Sequence, residues 1–194
     1  ALRPTMPEAL VVRGVARHQL GQFAEALADY DGALAARADF LPALVNRAAA
    51  LKDLERFAEA LDGYDAVLAR MPDQPEALTN RASVLTELGR HEEALASAAR
   101  AATVMPAFHE AWHNRGVALV ALQRYDEAIA SYTRAIGVAP QFAPSYQSRA
   151  SAHGHLRRYD RALADYEGAY RLDPDLPFIE GSRLHAKLHC ARWD

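Results

Sequence analysis

The sequence predicts an all-α protein, a right-handed superhelical solenoid of helix–turn–helix repeats. Three observations lead there. Pro4, Pro72, Pro106, Pro140 and Pro174 stand on one 34-residue grid, interrupted only by Ala38. Small and aromatic residues recur on the same grid. Between the prolines, apolar residues follow helical spacing, as in Ala111, Trp112, Val117, Ala118, Leu119 and Leu122. Such a period marks one helical hairpin copied along the chain. Each proline follows a helix it cannot continue, because it lacks an N–H and disfavours helical backbone in the residue before it. Most residues then serve stacking, and function belongs to the surface the stack creates.

Counting Pro7 as repeat position 1, the units are 7–40, 41–74, 75–108, 109–142 and 143–176. Residues 1–6 read as the tail of a preceding repeat, and 177–194 as a C-terminal helix or a linker to a missing downstream domain. Helix A is expected at positions 2–14 and helix B at 18–31. Position 8 is always small (Gly14, Ala48, Ala82, Gly116, Ala150), and position 20 is always alanine (Ala26, Ala60, Ala94, Ala128, Ala162), so two helix backbones can approach closely. Position 24 carries Tyr30, Tyr64, Ala98, Tyr132 and Tyr166, and position 17 carries Phe23, Phe57, His91, Tyr125 and Tyr159. Those large residues fill the gaps between hairpins. Repeat 3 is the loosest, since His91 and Ala98 replace two aromatics. Gly21 and Gly89 suit the C-terminal ends of A helices. Glu92-Glu93 and Asp126-Glu127 suit the positive first turns of B helices.

Trp112-His-Asn-Arg-Gly116, then Tyr125-Asp-Glu-Ala128, Tyr132 and Pro140, resembles the tetratricopeptide repeat, and five consecutive units share the pattern. The resemblance implies a scaffold that binds protein or extended peptide along a concave groove lined by positions 2, 5, 6, 9, 12 and 13 of helix A. Position 6 is Asn46, Asn80 and Asn114, flanked by Val12 and Ser148. An amide both donates and accepts, so a row of them can hold a peptide backbone without reading its side chains. The alternative is that asparagine here simply faces water. Thr79, His113 and Gln147 at position 5 and Ser83 at position 9 complete the candidate groove. The carboxylate clamp of chaperone-binding relatives, with lysine at position 5 and asparagine at position 9, is missing.

Composition narrows the partner further. The net charge is -3 and the basic residues are spread along the units, which argues against nucleic acid. No apolar run approaches the roughly 20 residues of a membrane span. A single cysteine, Cys190, fits a reducing cytoplasm. Only Lys52 and Lys187 among 22 basic residues are lysine, a bias that points weakly to a GC-rich bacterial genome. No cofactor is implied.

Several motifs invite a sharper reading. His109-Glu-Ala-Trp-His113 matches the HExxH pattern of zinc hydrolases, with Glu110 as general base. Yet it occupies positions 1 to 5 of repeat 4, where Glu110 is the counterpart of Glu8 and Glu76, so the structural reading is preferred. His185 and His189 are four apart with Cys190 adjacent, a spacing that can hold a metal but more commonly marks a solvated helix face. His153 and His155 indicate nothing specific. No catalytic constellation is expected. Position 7 is arginine throughout: Arg13, Arg47, Arg81, Arg115 and Arg149. One reading is a cationic ladder; the preferred one is that the stems pack between helices while the guanidinium reaches a carboxylate or backbone oxygen. Glu25, Glu59, Glu93 and Glu127 at position 19 are candidate partners, but Arg161 stands there in repeat 5, so that pairing cannot be uniform.

The tail Leu176-Pro-Phe-Ile-Glu-Gly181, Leu184-His-Ala-Lys187, Cys190 and Trp193-Asp194 resembles the helix that joins repeats to catalytic domain in O-linked N-acetylglucosamine transferase and SPINDLY-like glycosyltransferases. That implies the substrate-recognition repeats of a bacterial enzyme of this type, without its catalytic half. The alternative is a stand-alone adaptor in complex assembly. Phe178, Ile179, Leu184 and Leu188 are expected on an uncovered helix face, open to self-association through an uncapped end.

Overall fold

The computed structural model describes residues 6–190. Among them are eleven α-helices and no strand: α1 (Pro7–Gln19), α2 (Phe23–Ala36), α3 (Leu41–Asp53), α4 (Phe57–Arg70), α5 (Pro75–Glu87), α6 (His91–Val104), α7 (His109–Ala121), α8 (Tyr125–Val138), α9 (Ala143–His155), α10 (Tyr159–Leu172) and α11 (Ile179–Cys190). Odd-numbered helices are the A helices. Both helices of a repeat begin one residue earlier than expected. In α1 and α5 proline favours this: Pro7 and Pro75 occupy the first position, whose N–H has no partner in the helix anyway, while α7 begins at the same position without one.

Every A helix ends in the same turn. The residue at position 15 is left-handed in all five repeats: Gly21 (φ 75°), Glu55 (58°), Gly89 (72°), Gln123 (59°) and Arg157 (56°). The next amide reaches back five residues, as Arg124 N to Leu119 O at 2.8 Å, while Gln123 N donates to Val120 O at 2.9 Å. These paired bonds satisfy carbonyls the helix end would otherwise leave open. B helices end differently. Asp173 before Pro174 and Arg37 before Ala38 are extended, and Met71 and Ala139, each just before a proline, leave the helical region with ψ of 79° and 82°. The proline therefore reinforces a break that the chain also makes without it.

The chain forms two compact units, 1–90 and 91–194. The boundary falls inside repeat 3, between α5 and α6. In the first unit, α1 and α2 pack as a hairpin, as do α3 and α4, and α5 packs on α4. Tyr30 and Tyr64 are fully buried there, as are Ala26, Ala33, Ala48 and Ala60. In the second unit, α6 packs on α7, and α7/α8 and α9/α10 are hairpins, with α11 against α10. Leu119, Ala128 and Tyr132 form a core cluster that Leu95, Val117 and Val120 flank.

The terminal face differs from expectation at one residue. Ile179 is buried, because it begins α11 on the side that packs against α10. Phe178, Leu184 and Leu188 are exposed. Trp193 and Asp194 lie outside the described residues.

Candidate functional site

The A helices carry the candidate residues. In the first unit α3 touches both α1 and α5, and in the second α7 touches α9. Equivalent positions on neighbouring A helices of a unit therefore share a face.

On the first unit that face presents exposed Val12 and half-buried Val15, Val45, Asn46, Ala49, Asn80 and Ser83. Asn46 Nδ2 donates to its own Pro42 carbonyl at 2.7 Å, leaving the amide oxygen as an acceptor. Thr79 is only 4% exposed, so its side chain packs inward instead of lining an open groove. At the same edge His18 Nε2 lies 2.6 Å from Asp53 Oδ2.

On the second unit Asn114 is half-buried. His113 is committed to packing. Its Nδ1 lies 3.0 Å from Ser145 Oγ on α9, and its ring sits 5.3 Å from Phe142, edge-on, and 5.5 Å from Tyr132. Burial, helped by the nearby His109, pushes the His113 pKa down to about 4. The ring is neutral at pH 7. Gln147 Nε2 donates to Pro177 O at 2.7 Å and so ties α9 to the segment before α11.

The HExxH segment resolves into these local contacts. His109 Nδ1 is 2.9 Å from neighbouring Glu110 Oε2, its ring lies edge-on to Phe142 at 4.7 Å, and His113 faces Ser145. Among the described residues, no group of three or more His, Cys, Asp or Glu is placed to hold a metal.

Four arginines of the column reach carboxylates at positions other than 19, and the fifth reaches a hydroxyl. Arg13 Nε is 3.0 Å from Asp29 Oδ2, and Arg149 grips Asp165 through Nε and Nη2 at 2.8 and 2.7 Å. Arg47 and Arg81 instead reach backward to Asp31 and Asp65, at 2.6 and 2.5 Å. Arg115 donates to Ser131 Oγ at 2.5 Å. All these partners lie sixteen residues away, at position 23 of the same repeat or 25 of the one before. Arg149 uses both, because its Nη1 also donates to Thr133 at 3.0 Å. At position 19, Glu59 and Glu127 bond directly to Arg56 and Arg124, three residues earlier, while Arg47 and Arg115 of the column act on them only through their charge. Buried Asp29 shows the consequence. Burial alone would raise its carboxyl, but Arg13 and Arg17 outweigh that and hold it below the usual range.

A stack of antiparallel helix pairs, stapled through one repeated arginine and offering its A-helix face, is the architecture of a helical repeat scaffold. Tetratricopeptide repeat profiles match residues 45–108, 109–142 and 143–176, and the chain belongs to the tetratricopeptide-repeat family. Its fold is shared by TTC0263, a thermophilic TPR protein of Thermus thermophilus, at TM-score 0.78 and 23% identity over 94% of this chain and 99% of that one. MamA matches at TM-score 0.72 and 19% identity, over 87% and 92% of the two chains. YrrB, described as a TPR protein with an unusual peptide-binding site, matches at 0.70 and 21%, over 93% and 91%. Comparison with curated protein sequences finds no match. No helix among the described residues is long and apolar enough to cross a membrane.

Proposed function

We propose that this chain is a non-catalytic scaffold that binds an extended protein segment on the A-helix faces of its units. The observation that carries this reading is the first-unit face, where Asn46 and Asn80 stand at one repeat position on touching helices. Around them Val12, Val15 and Val45 offer apolar contact. Asn46 keeps its amide oxygen for a partner, and Asn80 is half-buried beside it. Amides beside apolar patches suit a peptide held through its backbone with loose side-chain preference. Asn114 stands at the same repeat position on the second unit. The peptide-binding site of YrrB supports the class of partner. Cytoplasmic location is part of the proposal. Selecting peptides from a random library on the whole chain, then mapping amide exchange, tests it. Protection should fall on α1, α3 and α5. Protection confined to B helices would refute it.

The finer reading, repeats of a bacterial O-linked-glycosyltransferase-like protein, rests on the resemblance of residues 176–194 and on the asparagine ladder, which that family's groove also carries. The family match ends at residue 176, just where that segment begins. Sequencing the gene beyond Asp194 decides it. A nucleotide-sugar transferase domain supports the reading, and a stop or a further repeat returns the chain to a stand-alone adaptor.

A further inference from the structure

We propose that His185 and His189 form a two-imidazole site for a borderline divalent cation of the Zn2+ and Ni2+ class. Their Nε2 atoms lie 3.2 Å apart on one side of α11. Zinc bound tetrahedrally to two histidines at about 2.0–2.1 Å separates the ligating nitrogens by about 3.3 Å, so both rings already stand near chelating distance. Without metal, the Nε2–H of one ring is donated to the Nε2 lone pair of the other. On binding, the donor ring takes the tautomer with its proton on Nδ1, exchanged through solvent, so that both Nε2 lone pairs face the cation and water completes its coordination.

The site is held from two sides. His189 stacks on Tyr159 of α10, with centroids 4.4 Å apart and planes 11° from parallel. That fixes the ring without using its Nε2. His185 lies edge-on to His189 at 4.5 Å and lines a shallow wall with Tyr166, Phe178 and Ser182. Ordering two side chains before the metal arrives lowers the entropic cost of binding. The stack itself belongs to the repeat: His155, at the position equivalent to His189, stacks on Tyr125 at 4.6 Å and 8°. Four residues earlier on that helix stands Ser151, so that repeat lacks the second imidazole at this spacing. Among the described residues, only in α11 do the stack and the i, i+4 pair coincide. Imidazole pairs favour cations of this class over Mg2+ and Ca2+, which require oxygen ligands.

The test is calorimetric titration of the full chain with ZnCl2, alongside His185→Gln, His189→Gln and His109→Gln. We expect one Zn2+ per chain, binding at least tenfold weaker in either α11 variant, and unchanged affinity in His109→Gln. Shifts of the His185 and His189 ring protons on adding Zn2+ would place the metal. His189→Gln also removes the Tyr159 stack, so circular dichroism accompanies it. If that variant loses helix, His185→Gln, which leaves the stack intact, decides alone. Equal affinity in His185→Gln and wild type overturns the site. So does loss of binding in His109→Gln only, or failure to bind Zn2+ at millimolar concentration.

Discussion

Gly116 of α7 and Tyr132 of α8 are in backbone-to-ring contact: a Cβ on Gly116 would lie 2.5 Å from Tyr132 Cε1. Gly14 and Tyr30 repeat the relationship at the same distance. Repeat 2 solves the problem in reverse. Its position 8 is Ala48, and the methyl is accommodated by Gly63 on the facing helix, where an added Cβ would meet it at 2.9 Å. Each of these hairpins thus gives up a side chain on one helix so that the other can approach.

Gly116→Ala should lower stability by about 1–3 kcal/mol, because the new methyl would meet a buried tyrosine ring well inside contact distance. Gly137→Ala, also in a helix but with nothing within 4 Å of its Cβ, should stabilise by about 0.5–1 kcal/mol. Urea unfolding of the two variants side by side separates the steric effect from helix propensity. Equal shifts for both would remove the steric account.

The left-handed position after each A helix gives an opposite pair. Gln123→Gly should raise the melting temperature, since a side chain in this region costs about 1–2 kcal/mol that glycine avoids. Gly89→Ala should lower it by a similar energy. Thermal melts decide the matter, and a destabilised Gln123→Gly would contradict the capping role.

Arg149 ties α9 to α8 and α10 through Thr133 and Asp165. Arg149→Leu leaves Asp165 largely buried without its charge partner and should cost about 3 kcal/mol. Adding Asp165→Leu to Arg149→Leu should recover much of that loss, because no uncompensated charge remains. A double variant as unstable as the sum of the singles would show that the two residues act separately.

Acid should weaken the fold before its carboxylates titrate. The folded His113 pKa of about 4 lies below its unfolded value near 6.5, so protonation favours the unfolded chain. Its contribution is complete above pH 6.5 and fades as pH falls toward 4, reaching about 3 kcal/mol lost. Buried His153, also shifted down by burial, acts in the same direction. Replacing His113 with phenylalanine should flatten the stability profile between pH 6.5 and 4.5. An unchanged slope there would place the sensitivity elsewhere.

The hairpins were legible because stacking imposes its period on the sequence: the proline, alanine and tyrosine columns mark helix ends, close approaches and filled gaps. The site was less so. Polarity at position 5 read as groove, yet Thr79 packs inward and His113 lies between Phe142 and Tyr132. A single position cannot reveal which side chains the next hairpin covers. The directly bonded arginine partners were hidden for a related reason. Position 19 repeats more regularly, but positions 23 and 25 face helix A, and there the partner changes from Asp29, Ser131 and Asp165 of the same repeat to Asp31 and Asp65 of the one before. The α11 pair needed coordinates, since sequence spacing does not show the Tyr159 stack or the 3.2 Å approach.

The central claim, that the first-unit A-helix face holds an extended peptide through its amides, is tested most directly by one affinity measurement. A peptide selected on the whole chain is titrated against wild type and against Asn46→Ala combined with Asn80→Ala. Each neutral hydrogen bond contributes about 0.5–1.5 kcal/mol, so losing both should weaken binding roughly tenfold. The melting temperature should barely move, because the Asn46 amide bonds within its own helix and both side chains sit at the open face. Unchanged affinity, or a large fall in melting temperature, would contradict the account and return these asparagines to a structural role.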